Sequence, residues 1–412
     1  MNNESFFRIN KKFLSFYWPK FDIIFSSFKQ DNPLKPKNNI KLIKKSNQKE
    51  ESYYANEEEK AKALEEGKKY FNICLKEILL NNLTKNFDKI ENPLISVVIP
   101  VYNSKNTIKS VIRSIQNQNI SNIEIVLVND FSENETVNII QELQKEDKRI
   151  ICLNNKRNMG TLYSRSVGTL NAKGKYIFPL DNDDFFTDEG VFEIISNEAE
   201  KGNFDIVEFK GASREKVDEP PNIFINTNYS DHKHNLILYQ PELSQYAIKK
   251  GEEFGIFDCF LWAKCIRTDV YKTTINLIGK QIYTKRIIWG EDLITSFVLF
   301  KVAKSFKFIG KYGIFRLLNL STATYHTNES LIVLSKIIYL YVILKFTENT
   351  FIDKKYLTIR AIGFLRSFKK LTLDKYIQDY LKKVVRKILN NNYVSISDKN
   401  KIKSAFFSLN IY

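Results

Sequence analysis

The residues best suited to chemistry form an acidic cluster, Asp181 to Asp184, which directly follows the apolar run Lys175 to Leu180. Residues two apart in an extended chain point the same way, so we expect Asp181 and Asp183 to aim two carboxylates at one point. Crowded acids repel one another unless a cation lies among them. Oxygen-only ligation suits Mg²⁺ or Mn²⁺, which usually share coordination with substrate phosphates. The cluster therefore predicts a divalent-metal site; the alternative is an acidic helix-capping loop.

Polar residues also follow two earlier apolar runs. Pro100 to Asn103 comes after Ile95 to Ile99, and Asn129-Asp130 comes after Ile123 to Val128. In open α/β sheets, ligands bind outside the carboxyl ends of the strands. Taken singly, the two segments could be a turn and a helix N-cap, but together with the acids they predict a binding cleft at one edge of a sheet.

The elements that position these residues can be read from periodicity. From Pro93 onward, short apolar runs alternate with amphipathic segments, which predicts a parallel α/β sheet. Ser132 and Glu135 predict a capping box for the second helix. The first helix has apolar residues at helical spacing: Ile108, Val111, Ile112 and Ile115. Further strands are expected over Arg149 to Leu153, Lys175 to Leu180 and Asp205 to Phe209, and further helices over Thr161 to Leu170 and about Gly190 to Glu200.

Composition excludes several classes of protein. The chain has 412 residues, a net charge of +16 and 43% hydrophobic residues, enough for a sizeable core. Four Cys without a CxxC pair and three His predict neither a zinc site nor a disulfide framework, which favours a reducing, cytoplasmic location. The basic runs Lys35 to Lys49 and Lys382 to Lys387 lack interleaved aromatics, so no nucleic-acid partner is predicted. Such runs could instead attract an anionic membrane or a lipid-phosphate acceptor.

Membrane association is predicted to be peripheral at most. The longest apolar stretch, Leu331 to Phe346, contains Lys336 and Lys345 and falls short of the roughly 20 residues that span a bilayer. We therefore predict a buried helix there. The aromatic-rich segment Phe13 to Phe28 lacks the apolar core of a signal peptide, and the alternative for it is an interfacial anchor at the cytosolic face of a membrane.

Three regions are predicted along the chain. Residues 1–92 form an N-terminal extension with a linker at about 30–60 and a helix at about 57–80. Residues 93–330 form the main domain, with a ligand-binding half at 93–211 and a second half at 212–330. Residues 331–412 form a C-terminal helical region.

Several ordered segments resemble the motifs of family 2 glycosyltransferases. They are Ile95 to Asn103, Ile123 to Asp130, Asn158 to Gly160 with Ser164-Arg165, Gly174 to Asp184, and Trp289 to Asp292. Together they span about Pro93 to Thr324. The chain departs from the family pattern at Asn129, where a second acid is commoner, at Ser166, where Asn is usual, and at Ser104-Lys105, where an acid is absent.

The resemblance implies a Rossmann-like, A-type (GT-A) nucleotide-diphospho-sugar transferase fold, here with N-terminal and C-terminal helical extensions. It implies that Asp181 and Asp183 hold the diphosphate through Mn²⁺ or Mg²⁺, with Asp184 alongside, and that Asp292 is the catalytic base. It also implies a nucleoside site formed by Pro100, Tyr102, Asn103, Asp130 and Arg165. Arg316 and His326 lie downstream and are candidates to help hold the diphosphate or the metal.

The sequence therefore predicts an inverting, metal-dependent glycosyltransferase. It would move a sugar from a nucleoside-diphosphate sugar, foremost a UDP-sugar, to a glycan or lipid-linked acceptor. One alternative is a catalytically silent sugar-nucleotide-binding or scaffold protein, against which the acids at 181, 183 and 292 count. Another is a nucleotidyltransferase, which would want a Gly-rich phosphate loop where Val101 to Lys105 contains no Gly.

Overall fold

The structure is a computed structural model that describes residues 90–214, 236–246, 260–283, 287–317, 329–347, 351–368, 373 and 375–409. The predicted linker at about 30–60, the helix at about 57–80 and His326 lie outside these residues. The chain divides into two compact units, one ending at Leu357 and the other beginning at Thr358. The predicted domain boundaries stay a prediction.

The first half of the larger unit alternates strands and helices, as the periodicity predicts. Its elements are β1 (Ile95–Val101), α1 (Ile108–Gln116), β2 (Ile123–Asn129), α2 (Asn134–Glu146), β3 (Ile150–Asn154), α3 (Thr161–Asn171), β4 (Tyr176–Pro179), β5 (Asp184–Phe186), α4 (Val191–Gly202) and β6 (Ile206–Arg214). The predicted strands and helices up to α4 are confirmed within one or two residues at most ends, and β6 runs longer than expected.

The second half has longer helices and fewer strands. Its elements are β7 (Ile237–Tyr239), α5 (Glu242–Tyr246), β8 (Lys264–Arg267), α6 (Thr268–Ile278), α7 (Lys280–Tyr283), α8 (Glu291–Val302), β9 (Ser305–Leu317) and α9 (Glu329–Phe346). Helix α10 (Phe351–Phe368) begins in this unit and ends in the next. The predicted buried helix from Leu331 is confirmed, because residues on every side of α9 are buried.

The strands form one mixed sheet in the order β3-β2-β1-β4-β8-β6-β9-β5, with β7 paired to β9. Strands β1 to β4 are parallel, as predicted, whereas β8 runs antiparallel to both β4 and β6. The predicted strand β6 runs the same way as β4 and pairs parallel with β9, so the antiparallel members are β5, β7 and β8, for which no strand was predicted. Because β1, β2 and β4 point the same way, their carboxyl ends meet at one edge, where the polar segments emerge.

The core fixes the elements that carry this edge. All seven residues of β1 and of β2 are buried, and the apolar residues predicted on α1 are fully buried. Helix α3 approaches β1 closely at Gly168, where an added Cβ would lie 2.5 Å from Cγ1 of Val98. Only a residue without a side chain permits this approach, and it sets the height of α3 over the sheet.

The capping box predicted for α2 is wrong. The residue before α2 is Glu133, which makes no side-chain cap. The hydroxyl of Ser132 instead accepts a hydrogen bond from the backbone N–H of Asn103 at 3.1 Å. Ser132 is therefore used to join the loops after β1 and β2 rather than to start a helix.

The smaller unit contains α11 (Lys375–Leu389) and α12 (Ile396–Phe407) in addition to the end of α10. The hydroxyl of Ser395 caps α12 by accepting from the backbone N–H of Asp398 at 3.1 Å. Helix α11 buries Ile377, Leu381 and Ile388 and exposes basic residues. Among the described residues, none of the helices combines the length and the apolarity that a membrane-spanning helix requires.

Candidate functional site

The acidic cluster lies in a turn at the carboxyl end of β4. The strand ends at Pro179, and the backbone N–H of Asp184 donates to the carbonyl of Asp181 at 3.3 Å. The expectation of an extended segment is therefore wrong, because the chain reverses before β5. Thr107, at the start of α1, fixes the turn by donating from its hydroxyl to the carbonyl of Asn182 at 2.7 Å.

The carboxylates of Asp181 and Asp183 nevertheless share one region of space. Burial, and secondarily the charge of Asp181, raise the pKa of Asp183 to about 6, while Arg316 acts in the opposite direction. A carboxyl group with a raised pKa is one whose negative charge lacks compensation in the folded protein. A cation placed beside Asp183 would supply that compensation.

Arg165 joins the acidic turn to the predicted base. Its side chain, on α3, is 4% exposed; Nη2 donates to Oδ1 of Asp181 at 2.6 Å and Nη1 donates to Oδ1 of Asp292 at 2.8 Å. Burial opposes the positive charge, but Asp292 and Asp181 outweigh it and raise the pKa of Arg165 above its ordinary value. The structure thus brings Asp181, Arg165 and Asp292 into one hydrogen-bonded chain.

Asp292 lies in the first turn of α8, after Gly290, which adopts a left-handed φ of 71° as the N-cap. Burial raises the pKa of Asp292, and Asp181 raises it further, whereas Arg165, Lys264 and Arg316 lower it. Its side chain is 19% exposed, so part of it is open to solvent. The adjacent Glu291 has a pKa raised to about 7, first by burial and next by the charge of Asp292.

Glu291 gives a testable dependence of stability on pH. A carboxyl group whose pKa rises on folding contributes its full stability below the ordinary value of 4.5 and loses it as the pH rises through about 7. We expect Glu291→Gln, which is neutral at every pH, to gain stability relative to the wild type between pH 5 and pH 8, by on the order of 1–3 kcal/mol. Denaturant unfolding of both proteins at four pH values measures this difference.

The matched control is Glu193→Gln, because Glu193 is an exposed acid in the first turn of α4. As for other exposed residues, its replacement should change the free energy of unfolding by no more than about 0.5 kcal/mol at each pH. A pH-independent difference for Glu291→Gln would contradict the raised pKa.

Asp130 lies at the carboxyl end of β2, but its carboxylate is already engaged by the chain. Oδ1 accepts from the backbone N–H of Met159 at 2.6 Å and from the amide of Asn155 at 2.8 Å, and Oδ2 accepts from the N–H of Gly160 at 2.7 Å. The residue is 4% exposed. Asp130 therefore holds the loop that leads into α3, and its predicted contact with a nucleoside stays a prediction.

We expect Asp130→Ala to lower the free energy of unfolding by about 1–3 kcal/mol, because the substitution leaves a buried backbone N–H without an acceptor. Any rise in the donor KM would accompany this loss, since the same loop leads into α3, which carries Arg165. Thermal unfolding and donor kinetics on one preparation separate the two effects. The control is Glu135→Ala, which removes an exposed ion pair with Lys105. It should leave both the free energy of unfolding and the donor KM unchanged. An Asp130→Ala variant of unaltered stability would contradict the structural role.

The other predicted nucleoside residues lie at the end of β1. Pro100 is buried within the strand, and Tyr102 follows it with 49% of its surface exposed. Asn103 adopts a left-handed φ of 49°, and its Oδ1 accepts from the backbone N–H of Glu133 at 2.8 Å. Asn103 thus ties two loops together, and Tyr102 presents an open aromatic face beside them.

Asp184 and Arg316 face each other across β5 and β9, where they are paired in register. Asp184 is 1% exposed, so it lies behind the turn rather than at its surface. The guanidinium of Arg316 lies 5.7 Å from the centre of the Phe260 ring. Because Arg316 also lowers the pKa of Asp183 and of Asp292, it is a second cation among the acids.

Two residues near the site were missed by the sequence analysis. Lys264 is fully buried in β8, 3.0 Å from the carboxylate of Glu208 on β6, and it lowers the pKa of Asp292. Tyr271, buried on α6, has a raised pKa because of burial and interacts electrostatically with Arg165. Lys264 could have been singled out from the sequence, because it is a lysine inside the apolar run Phe260 to Ile266. Tyr271 carries no comparable signal.

The comparisons with known proteins agree with these motifs. The family model described as glycosyl transferase family 2 matches residues 96–273. A glycosyltransferase of Bacillus subtilis (strain 168), EpsJ, is 28% identical over 220 residues, which are 53% of this chain and 59% of that protein. The Escherichia coli protein WfaP, named a UDP-Glc:alpha-D-GlcNAc-diphosphoundecaprenol beta-1,3-glucosyltransferase, is 39% identical over 93 residues, which are 23% of this chain and 36% of that protein. The chain thus spans less than two thirds of the length of either relative.

Solved structures share the fold. TarS residues 1–349 from S. aureus, in complex with UDP-GlcNAc, match with a TM-score of 0.54 at 15% identity, covering 76% of this chain and 90% of that one. The same protein in complex with UDP matches with a TM-score of 0.52 at 16% identity, covering 77% and 88%. The predicted α/β GT-A fold is therefore confirmed. The chain carries a glycosyltransferase domain of family 2, as its motifs predict.

Proposed function

We propose that this chain transfers a sugar from a UDP-sugar to a hydroxyl group of a glycan or lipid-linked acceptor, with inversion at the anomeric carbon. The observation that carries the proposal is the chain of bonds from Asp181 through Arg165 to Asp292. It joins the acids expected to hold the donor to the carboxylate expected to activate the acceptor. The family assignment and the names of the relatives, which include a UDP-Glc-dependent enzyme and a UDP-GlcNAc complex, support the donor class.

The residues at the end of β4 fit a divalent cation. Asp181 and Asp183 offer only oxygen donors, which suit Mg²⁺ or Mn²⁺, and the raised pKa of Asp183 reflects negative charge that a cation would balance. Within the described parts of the chain, no three His, Cys, Asp or Glu side chains converge on one point. Asp181 and Asp183 would therefore hold the ion together with substrate oxygens. When bound, the ion would neutralise charge that develops on the departing diphosphate.

In the proposed reaction, the acceptor hydroxyl oxygen attacks the anomeric carbon of the sugar. The bond from that carbon to the diphosphate oxygen breaks, and its electron pair leaves with the nucleoside diphosphate. The hydroxyl proton passes to the carboxylate of Asp292. Because Oδ1 of Asp292 accepts from Arg165, the proton would be taken by Oδ2. Attack from the face opposite the leaving group gives inversion.

Arg316 and Tyr102 are proposed to bind the donor. Arg316 is a cation near Asp183, so it would contact the diphosphate, and the half-exposed ring of Tyr102 would contact the base.

For the acceptor side, we propose peripheral association with an anionic membrane surface. The basic residues that α11 exposes, Lys383, Arg386 and Lys387, support this part of the proposal.

A panel of nucleotide sugars tests the function without knowledge of the acceptor. Each sugar nucleotide is incubated with the full chain and Mn²⁺, and release of the nucleoside diphosphate is measured with and without chelator. We expect release from a UDP-sugar that stops in chelator. If titration calorimetry shows binding of UDP but no sugar is released and none is transferred to any added glycan, a silent binding protein is favoured instead.

A further inference from the structure

Arg165 makes contacts that its motif does not explain. The resemblance places this arginine beside the nucleoside, yet both of its terminal nitrogens are bonded to carboxylates, of Asp181 and of Asp292. The carboxylate of Asp130, its expected neighbour in a nucleoside site, is occupied by backbone N–H groups of Met159 and Gly160 instead. A guanidinium that is 4% exposed also has little surface to offer a ligand.

Resting on the function proposed above, we propose that Arg165 is a positioning residue for Asp292. It fixes one oxygen of that carboxylate so that the other is aimed at the acceptor hydroxyl, and it ties Asp292 to Asp181 on the donor side. It does not contact the nucleoside.

The chemistry of the side chain suits this role. A carboxylate held through one oxygen keeps a defined orientation, and a planar guanidinium can hold two carboxylates with separate nitrogens. Arg165 is itself held in place, because α3 packs on β1 without a side chain at Gly168, where an added Cβ would meet Val98 at 2.5 Å. Proton acceptance depends on such orientation, since small misplacements of a catalytic group are costly.

The charges around Asp292 agree with the geometry. Arg165 on α3, Lys264 on β8 and Arg316 on β9 lower the pKa of Asp292, whereas burial and Asp181 raise it. Two further titratable neighbours are Glu291, an acid of the same helix, and Tyr271 on α6. The three cations thus favour the ionised form of Asp292, which is the form that accepts a proton.

Arg165→Lys tests the role, since lysine keeps the charge but cannot hold both carboxylates in one plane. With UDP-glucose and UDP-N-acetylglucosamine as donor probes, we expect kcat to fall about 10- to 100-fold, as for loss of one bond to a charged group. The Kd for UDP, measured by calorimetry, should change less than about threefold. The double variant Arg165→Lys, Asp292→Asn should be no slower than Asp292→Asn alone, because one residue acts through the other.

Arg149→Lys is the matched control. Arg149 is as buried as Arg165 and lies 2.9 Å from Asp147, but it precedes β3, at the opposite end of the sheet. The Arg149→Lys variant should lose thermal stability without a change in kcat. If Arg165→Lys does not fold, Arg165→Gln serves instead, since its amide still donates to one carboxylate, and the same separation of kcat from Kd is expected.

Two outcomes would overturn the inference while leaving the function intact. One is a Kd for UDP raised tenfold or more with kcat unchanged, which would make Arg165 a nucleotide ligand. The other is a double variant whose loss is the product of the single losses, which would make the two residues independent. A wild-type chain that binds no UDP and turns over no sugar nucleotide would instead overturn the proposed function, and the inference with it.

Discussion

Asp292→Asn is expected to slow sugar transfer at least about a hundredfold, because general-base assistance is worth roughly 10²- to 10⁴-fold in rate. The asparagine amide has the shape of the carboxylate but cannot accept the hydroxyl proton. Donor affinity should be retained, since Asp292 contacts Arg165 rather than the acidic turn. Calorimetry with UDP and Mn²⁺, together with initial rates of transfer, measures the two quantities separately.

An acid at a helix N-terminus can stabilise the helix without taking part in the reaction, so the control must separate this effect from catalysis. Asp269 in the first turn of α6 provides it, because it occupies the same kind of position on a neighbouring helix. Asp269→Asn should leave the transfer rate unchanged. Near wild-type transfer by a folded Asp292→Asn variant would remove Asp292 from the mechanism.

The parallel half of the fold could be predicted because its signals are local. An apolar strand followed by a helix with buried residues at Ile108, Val111 and Ile115 leaves few alternatives, and β1 and α1 follow this pattern. The antiparallel strand β8 could not be predicted in the same way. Its direction depends on where the chain re-enters the sheet after β7 and α5, and no short pattern encodes that.

The candidate site shows the same division. The segments at the ends of β1, β2 and β4 are recognisable because each polar residue directly follows its strand. The bond between Arg165 and Asp292 joins residues 127 positions apart, and it depends on how α3 and α8 pack rather than on any local spacing. The hydrogen-bond partners of Asp130 could not be predicted for a related reason, because Met159 and Gly160 come from a loop that the sequence does not place.

Asp183→Asn is expected to reduce metal-dependent turnover at least about a hundredfold, because stabilisation of a leaving diphosphate by a cation is worth several kcal/mol. The amide removes one of the two proposed anionic ligands and leaves Asp181 paired with Arg165. Asparagine cannot balance a divalent charge, so Mn²⁺ should no longer strengthen UDP binding. Calorimetric titration of UDP with and without Mn²⁺ reports this loss independently of turnover.

Asp188→Asn is the matched control, because Asp188 lies a few residues further along the chain and is held by Lys311 at 2.7 Å and by the backbone N–H of Gly190 at 2.9 Å. Its replacement should cost stability but keep the effect of Mn²⁺ on both UDP affinity and turnover. If chelator leaves the wild type fully active, or if Asp183→Asn responds to Mn²⁺ as the wild type does, the cluster is a structural turn. In that case Arg316, a cation near Asp183, would have to stabilise the diphosphate without an ion.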